Sequence, residues 1–268
     1  MPKITSSQGE LIRRVREAAR AAYAATIADG ERAQRIDGLA TAAELCHNFV
    51  YGYTSIDHPA VDSDDEILNW TFADVTSDLG AAIWCLSSGF YKAAASNLRN
   101  ALDLAMTALY FQLRENNDRV DKGWNKFFAE WDRGERDTPT WGEMRPYIAQ
   151  QQSVKEFNAT HACDVVSQLY AHFKNLSSYT HGRAVALDGQ AVRAIDISGD
   201  APNFDEHQFD HLVGLTLATV CWICAIWQIV FPHIIETEPL GPLNEPAPYK
   251  RIFCGHPIGD RAMAFRPN

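Results

Sequence analysis

The sequence predicts an all-α fold, a bundle of long antiparallel helices, and three observations carry that expectation. Apolar residues recur at three- and four-residue spacing through most of the chain, 46% of the residues are hydrophobic and 11% aromatic, and extended alternation is confined to one short stretch. The 268 residues are enough for a substantial core. The expected organisation is an N-terminal helical extension over 1–60, a helical bundle over 61–236 and a proline-rich tail over 237–268.

The first helix is expected from Gly9 to about Asp29, with Leu11, Ile12, Val15, Ala19 and Tyr23 at helical spacing. Arg13, Arg14, Arg16 and Arg20 are interleaved with Glu10 and Glu17, which favours a solvated face over a ligand site. A second helix is expected from about Arg32 to Tyr51. Ser55 to Asp65, with Pro59 and four aspartates, has the composition of a loop that ends in a helix cap near Asp64.

The body then opens with Ile67 to Leu86, is punctuated by Gly89, and continues from Phe90 to about Arg114 along Tyr91, Ala94, Leu98, Leu102, Ala105, Leu109 and Leu113. These two segments are expected to be an antiparallel pair. Small residues at Ala93-Ala94-Ala95-Ser96 allow a neighbouring helix to approach closely. Asp121 to Gln151 is expected as short helices interrupted by Gly134, Pro139 and Pro146, carrying Trp124, Phe127, Phe128, Trp131 and Trp141 as a lid or, more in keeping with their spacing, as core.

One long helix is predicted from Ser153 to Thr180, with Val154, Phe157, His161, Val165, Leu169, Phe173 and Leu176 as its stripe, stopped by Gly182. Residues 183–187 and 190–197 flank Asp188-Gly189, which suits a small hairpin insert. The last helix is expected from Asp205 to Val230. Leu212 to Ile235 carries no Asp, Glu, Lys or Arg; Gln228, His233, several Thr and the lack of a basic flank favour a buried core helix over a membrane span.

The net charge of -10 argues against a protein that coats nucleic acid, though not against a small basic pocket. Six cysteines scattered through apolar helical stretches, with no charged start leading into an apolar signal core, predict a reducing, cytoplasmic setting. Cys221 and Cys224 have redox-motif spacing but lie mid-helix among apolar residues, so inert core thiols are expected. His207 and His211, near Asp205, Glu206 and Asp210, have the spacing to hold a metal but fit a solvated first turn better.

The residues that best suit chemistry lie at the end of the predicted third helix. Lys174 and His181 are seven apart, close to two turns, with Asn175 beside them. A cation, an amide and a titratable imidazole suit metal-independent RNA cleavage, in which the 2'-hydroxyl attacks its own phosphate. The structural alternative is that His181 caps the helix and Lys174 reaches solvent. On the helix expected from Phe90, Arg99 and Asp103 at i and i+4 are expected as a pair that either supports His181 or fixes helix register.

Two stretches carry a resemblance: Phe90-Tyr-Lys-Ala-Ala-Ala-Ser-Asn-Leu-Arg-Asn-Ala-Leu-Asp103 and Leu169-Tyr170 with Lys174-Asn-Leu-Ser-Ser-Tyr-Thr-His-Gly182. Together they resemble the HEPN-like helical superfamily, including its abortive-infection branch, over roughly residues 64–235. The resemblance implies an all-α bundle, often dimeric, whose ribonuclease members place an arginine, a polar residue and a histidine at an active site spanning the dimer interface. By that implication Asn175 matches the polar position and His181 the catalytic histidine, while Lys174 stands where the arginine is expected. Lysine supplies a flexible point charge rather than a planar fork.

The function expected is therefore a bacterial defence or stress-response ribonuclease needing no cofactor and no metal, with RNA and a second copy of the chain as its partners. The alternative is a non-catalytic HEPN-like module that binds a partner protein or nucleotide, with the His181 cluster structural.

Overall fold

The computed structural model describes residues 6–54, 66–118, 120–180, 184–187, 190–193 and 202–230. Among them the fold class is all-α, with helices α1 (Ser6–Ile27), α2 (Gly30–Thr54), α3 (Glu66–Ser87), α4 (Tyr91–Asp118), α5 (Lys122–Asp132), α6 (Trp141–Gln150), α7 (Gln152–His161), α8 (Val165–Thr180) and α9 (Glu206–Val230). Two four-residue segments, β1 (Ala184–Leu187) and β2 (Gln190–Arg193), pair antiparallel with Val185 opposite Val192. They add no layer to the helical body. The expected Asp188-Gly189 turn and the proline-rich tail lie outside the described residues.

Helix α4 runs through the middle of the molecule and packs against α3, α6, α8 and α9. Its buried stripe of Ala94, Leu98, Leu102, Ala105, Leu109 and Leu113 is the one its sequence spacing requires. The pair α3/α4 turns at Gly89. There the Phe90 amide donates to the Cys85 carbonyl at 2.8 Å and the Gly89 amide to Leu86 at 3.3 Å, the bonding of a glycine-terminated helix.

Phe90 folds back onto Trp84, with ring centroids 6.1 Å apart. Gly89 has φ +76°, and a Cβ there would fall 2.5 Å from the Asn203 carbonyl oxygen and 2.9 Å from the Ala22 Cβ. The glycine is therefore required both by backbone conformation and by the approach of α1 and of the segment leading into α9. Tyr91, 2% exposed, fastens that segment: its hydroxyl accepts from the Asp205 amide at 2.9 Å and donates to the Asp205 carbonyl at 3.1 Å. Burial pushes the Tyr91 phenol up to about 12.

Helix α9 is long and apolar enough to cross a membrane, but 72% of its most apolar window is buried inside the bundle. Its composition is accounted for by packing against α2, α3 and α4. Helix α2 contributes Leu39, Ala42 and Cys46 to the same core, so it packs as part of the body. The aromatic residues of α5 are packing residues as well: Trp124, Phe127, Phe128 and Trp131 surround Phe111 of α4 at centroid distances of 4.4 to 6.2 Å.

Two expectations are corrected. The helix expected from Ser153 to Thr180 is two helices, α7 and α8, broken after His161. Ala162 takes a left-handed conformation, φ 47°, and ends α7. Asp164 then caps α8 by accepting the Ser167 amide at 3.1 Å, while the Asn158 side chain accepts the Val165 amide at 2.9 Å. The second correction concerns Pro146, which lies inside α6 rather than interrupting it. Its ring costs α6 the one bond to the Gly142 carbonyl, and Gly142 is exposed to solvent.

Candidate functional site

The site is assembled where α4, α6 and α8 meet. Helix α6 is set by its first turn, in which the Glu143 carboxylate accepts from the Thr140 amide at 2.7 Å and from its hydroxyl at 2.8 Å. That start places Trp141 and Arg145, four residues apart, on one face. Trp141 is 7% exposed, stacks on Phe173 of α8 at 4.4 Å and lies 5.9 Å from Tyr170. Its indole N–H donates to the Asp103 carboxylate of α4.

Three cations gather on this aromatic group. The Arg99 guanidinium sits 5.0 Å from the Phe173 centroid, the Arg145 guanidinium 4.0 Å from the Tyr170 centroid, and the Lys174 ammonium 5.7 Å from that same ring. Phe173 thus faces one cation and Tyr170 two. Both arginine Nε atoms are buried with no acceptor among the described residues, and none of the three cations forms an ion pair there. By contrast Arg13, Arg35, Arg114, Arg133 and Arg136 all pair with carboxylates.

The expected pair of Arg99 with Asp103 does not form. Trp141 takes the Asp103 carboxylate and Phe173 takes the face of Arg99, because α6 and α8 insert between the two charges what a bare helix would leave to a direct i,i+4 contact. Lys174 is exposed on α8, and Asn175, half-buried, is turned about 100° from it around the helix. Sequence spacing put Lys174 and Asn175 side by side, and the fold sets the Lys174 ammonium on the aromatic group. His181 lies outside the described residues.

Arg145, Tyr170 and Phe173 complete this constellation, and sequence reasoning did not single out Arg145 or Tyr170 as functional. The available signals were the Trp141/Arg145 and Tyr170/Lys174 pairs at i,i+4, each an aromatic with a cation.

The remaining candidates have surroundings of their own. Arg13 pairs with Glu10 at 2.7 Å and Glu17 at 2.9 Å on an exposed face. Cys221 is buried, and burial pushes its thiol well above the ordinary range; Cys224 lies 4.0 Å, sulfur to sulfur, from Cys46 without a bond between them. His211 stacks on Tyr179 at 5.5 Å, and no group of three metal-ligating side chains occurs among the described residues. No family model, curated protein or solved structure matches this chain.

Proposed function

We propose that this is a HEPN-like protein that acts on RNA in the cytosol, as a homodimer, in bacterial defence or stress response. Its α4/α6/α8 face binds phosphodiester, and cleavage proceeds without a metal. The observation that carries this reading is the set of three cations, Arg99, Arg145 and Lys174, held on Phe173 and Tyr170 without carboxylate partners among the described residues. In a chain with 34 acidic against 24 basic residues, cations left without an ion-pair partner in one place suit an anionic ligand.

In the reaction, the 2'-oxygen forms a bond to phosphorus as its proton leaves, and the bond from phosphorus to the 5'-oxygen breaks as that oxygen takes up a proton. The products are a 2',3'-cyclic phosphate and a 5'-hydroxyl. His181 serves as general acid or base, Lys174 and Arg99 offset charge on the phosphate oxygens, and Asn175 positions the substrate. Asp103 fixes Trp141 and through it Phe173, so it supports the site rather than touching RNA.

The test is cleavage of single-stranded RNA in the presence of chelator by wild type and His181→Ala, at matched melting temperature. Cleavage by wild type that His181→Ala loses is the expected result; no cleavage by either protein contradicts the catalytic part. The second reading, a non-catalytic module binding a partner protein or nucleotide, is favoured by one observation: Arg99 and Asp103 are both engaged by aromatic side chains of the bundle itself. RNA binding without cleavage would select it.

A further inference from the structure

Beside the three cations, α6 and the start of α8 enclose a shallow cleft of about 290 Å³ whose lining combines opposite polar chemistries. Its lining is apolar at Pro146, Ala149 and Val166, polar at Arg145, Asp164 and Ser167, and bare backbone at Gly142. Arg145 and Asp164 are not within ion-pair distance of each other, 4.0 Å, although the charge of Arg145 helps to hold the Asp164 carboxyl below its ordinary value, chiefly behind the hydrogen bonds from Ser167. A donor fork and a carboxylate therefore line one small cleft with a gap between them.

That arrangement does not suit a bare phosphate, since Asp164 would repel it. It suits a flat group that rests on an apolar wall and offers donors on one edge and acceptors on the next. We infer that the cleft is a base-reading subsite for guanine in single-stranded RNA, with Asp164 accepting from the N1–H and 2-amino groups and Arg145 donating to O6 and N7. This inference rests on the RNA-binding reading above and assigns that reading a sequence preference.

Guanine is the base that sets two donors side by side next to two adjacent acceptors; adenine and cytosine each offer one amino donor, and uracil one imide N–H. Arg145 is preorganised for the task, because Tyr170 under its guanidinium at 4.0 Å fixes the plane of the fork. Asp164 accepts from the Ser167 amide at 3.1 Å, from the Ser167 hydroxyl and from the Val166 amide, so a ligand donor has to share its oxygens with these caps of α8. The cleft also adjoins the phosphate cations, for Arg145 and Lys174 both lie within 5.7 Å of the Tyr170 centroid.

The experiment is fluorescence anisotropy with a labelled hexauridylate and with the same hexamer carrying one internal guanine, adenine or cytosine. A single guanine is expected to tighten binding at least about tenfold, the effect of one bidentate base contact, with the two contacts acting together on one base. Asp164→Asn retains a side chain competent to cap α8, and Arg145→Lys retains the charge but not the fork; each is expected to abolish the guanine advantage with an unchanged helical melting curve. Equal binding of all four hexamers by wild type, or a guanine advantage that persists in both variants, overturns the inference and leaves RNA binding standing. Failure of wild type to bind any hexamer overturns the RNA reading and the inference together.

Discussion

Helix α4 carries two buried-edge arginines with opposite circumstances. Near its C-terminal end, Arg114 donates to Asp118 at 2.7 Å and to the Tyr110 hydroxyl at 3.2 Å, and lies 3.8 Å over the Tyr147 ring, while Tyr147 donates to the same Asp118 oxygen at 2.8 Å. Its neighbour Trp124 donates to Glu115 at 2.6 Å. Fifteen residues earlier, Arg99 has an aromatic face beneath it but no acceptor for its buried Nε among the described residues.

The difference separates two uses of one residue type. Where the bonding capacity of a guanidinium is met inside the protein, its work is structural; Arg99, positioned by a ring and with its Nε unmatched among the described residues, is the one the proposed function uses.

Arg114→Ala breaks the satisfied network, taking the cation from Asp118 and the donor from the Tyr110 hydroxyl while the Tyr147–Asp118 bond remains, so it should cost about 2 kcal/mol in chemical denaturation and leave RNA affinity unchanged. Arg99→Gln should do the reverse, lowering RNA affinity about tenfold, or about 1.4 kcal/mol, while the denaturation midpoint moves little. Between these, Trp141→Phe keeps a ring against Phe173 but removes the donor to Asp103, for an expected stability loss of about 1 kcal/mol by denaturant titration.

The smallest effect is expected in acid. Although burial pushes the Asp118 carboxyl upward, hydrogen bonds from Tyr147 and Arg114 bring it below its ordinary value. A lowered carboxyl stabilises the fold above its unfolded-state value, about 3.9, and that contribution disappears as pH falls through the lowered folded value. The stability difference between wild type and Asp118→Asn should therefore be constant near neutral pH and shrink below about pH 4; a difference that grows in acid would contradict the network.

The same contrast marks what was legible beforehand. Burial was legible: of the expected stripe Val154, Phe157, His161, Val165, Leu169 and Leu176 are buried and Phe173 is half-buried. Continuity was not, because periodicity reports which residues face the core and is blind to a break that preserves the face. The break at Ala162 is written in Asn158 and Asp164, side chains that bond to backbone amides, with neither glycine nor proline to mark it.

Lys174 was legible as a surface cation and Arg99 as an out-of-place charge. Their meeting with Arg145 was not, since it depends on how α6 docks between α4 and α8, a relation that no local pattern encodes. The pairing of Asp103 with Trp141 spans 38 residues and is of the same kind.

The central claim is that Arg99 and Lys174 meet the phosphates of RNA. It is tested most directly by measuring the affinity of wild type and the double variant Arg99→Gln/Lys174→Gln for one single-stranded RNA across a salt series. Loss of two phosphate contacts should reduce the slope of log affinity against log salt by about 1.4 for a single strand, with affinity falling most at low salt. Identical slopes and affinities in two equally folded proteins would contradict it.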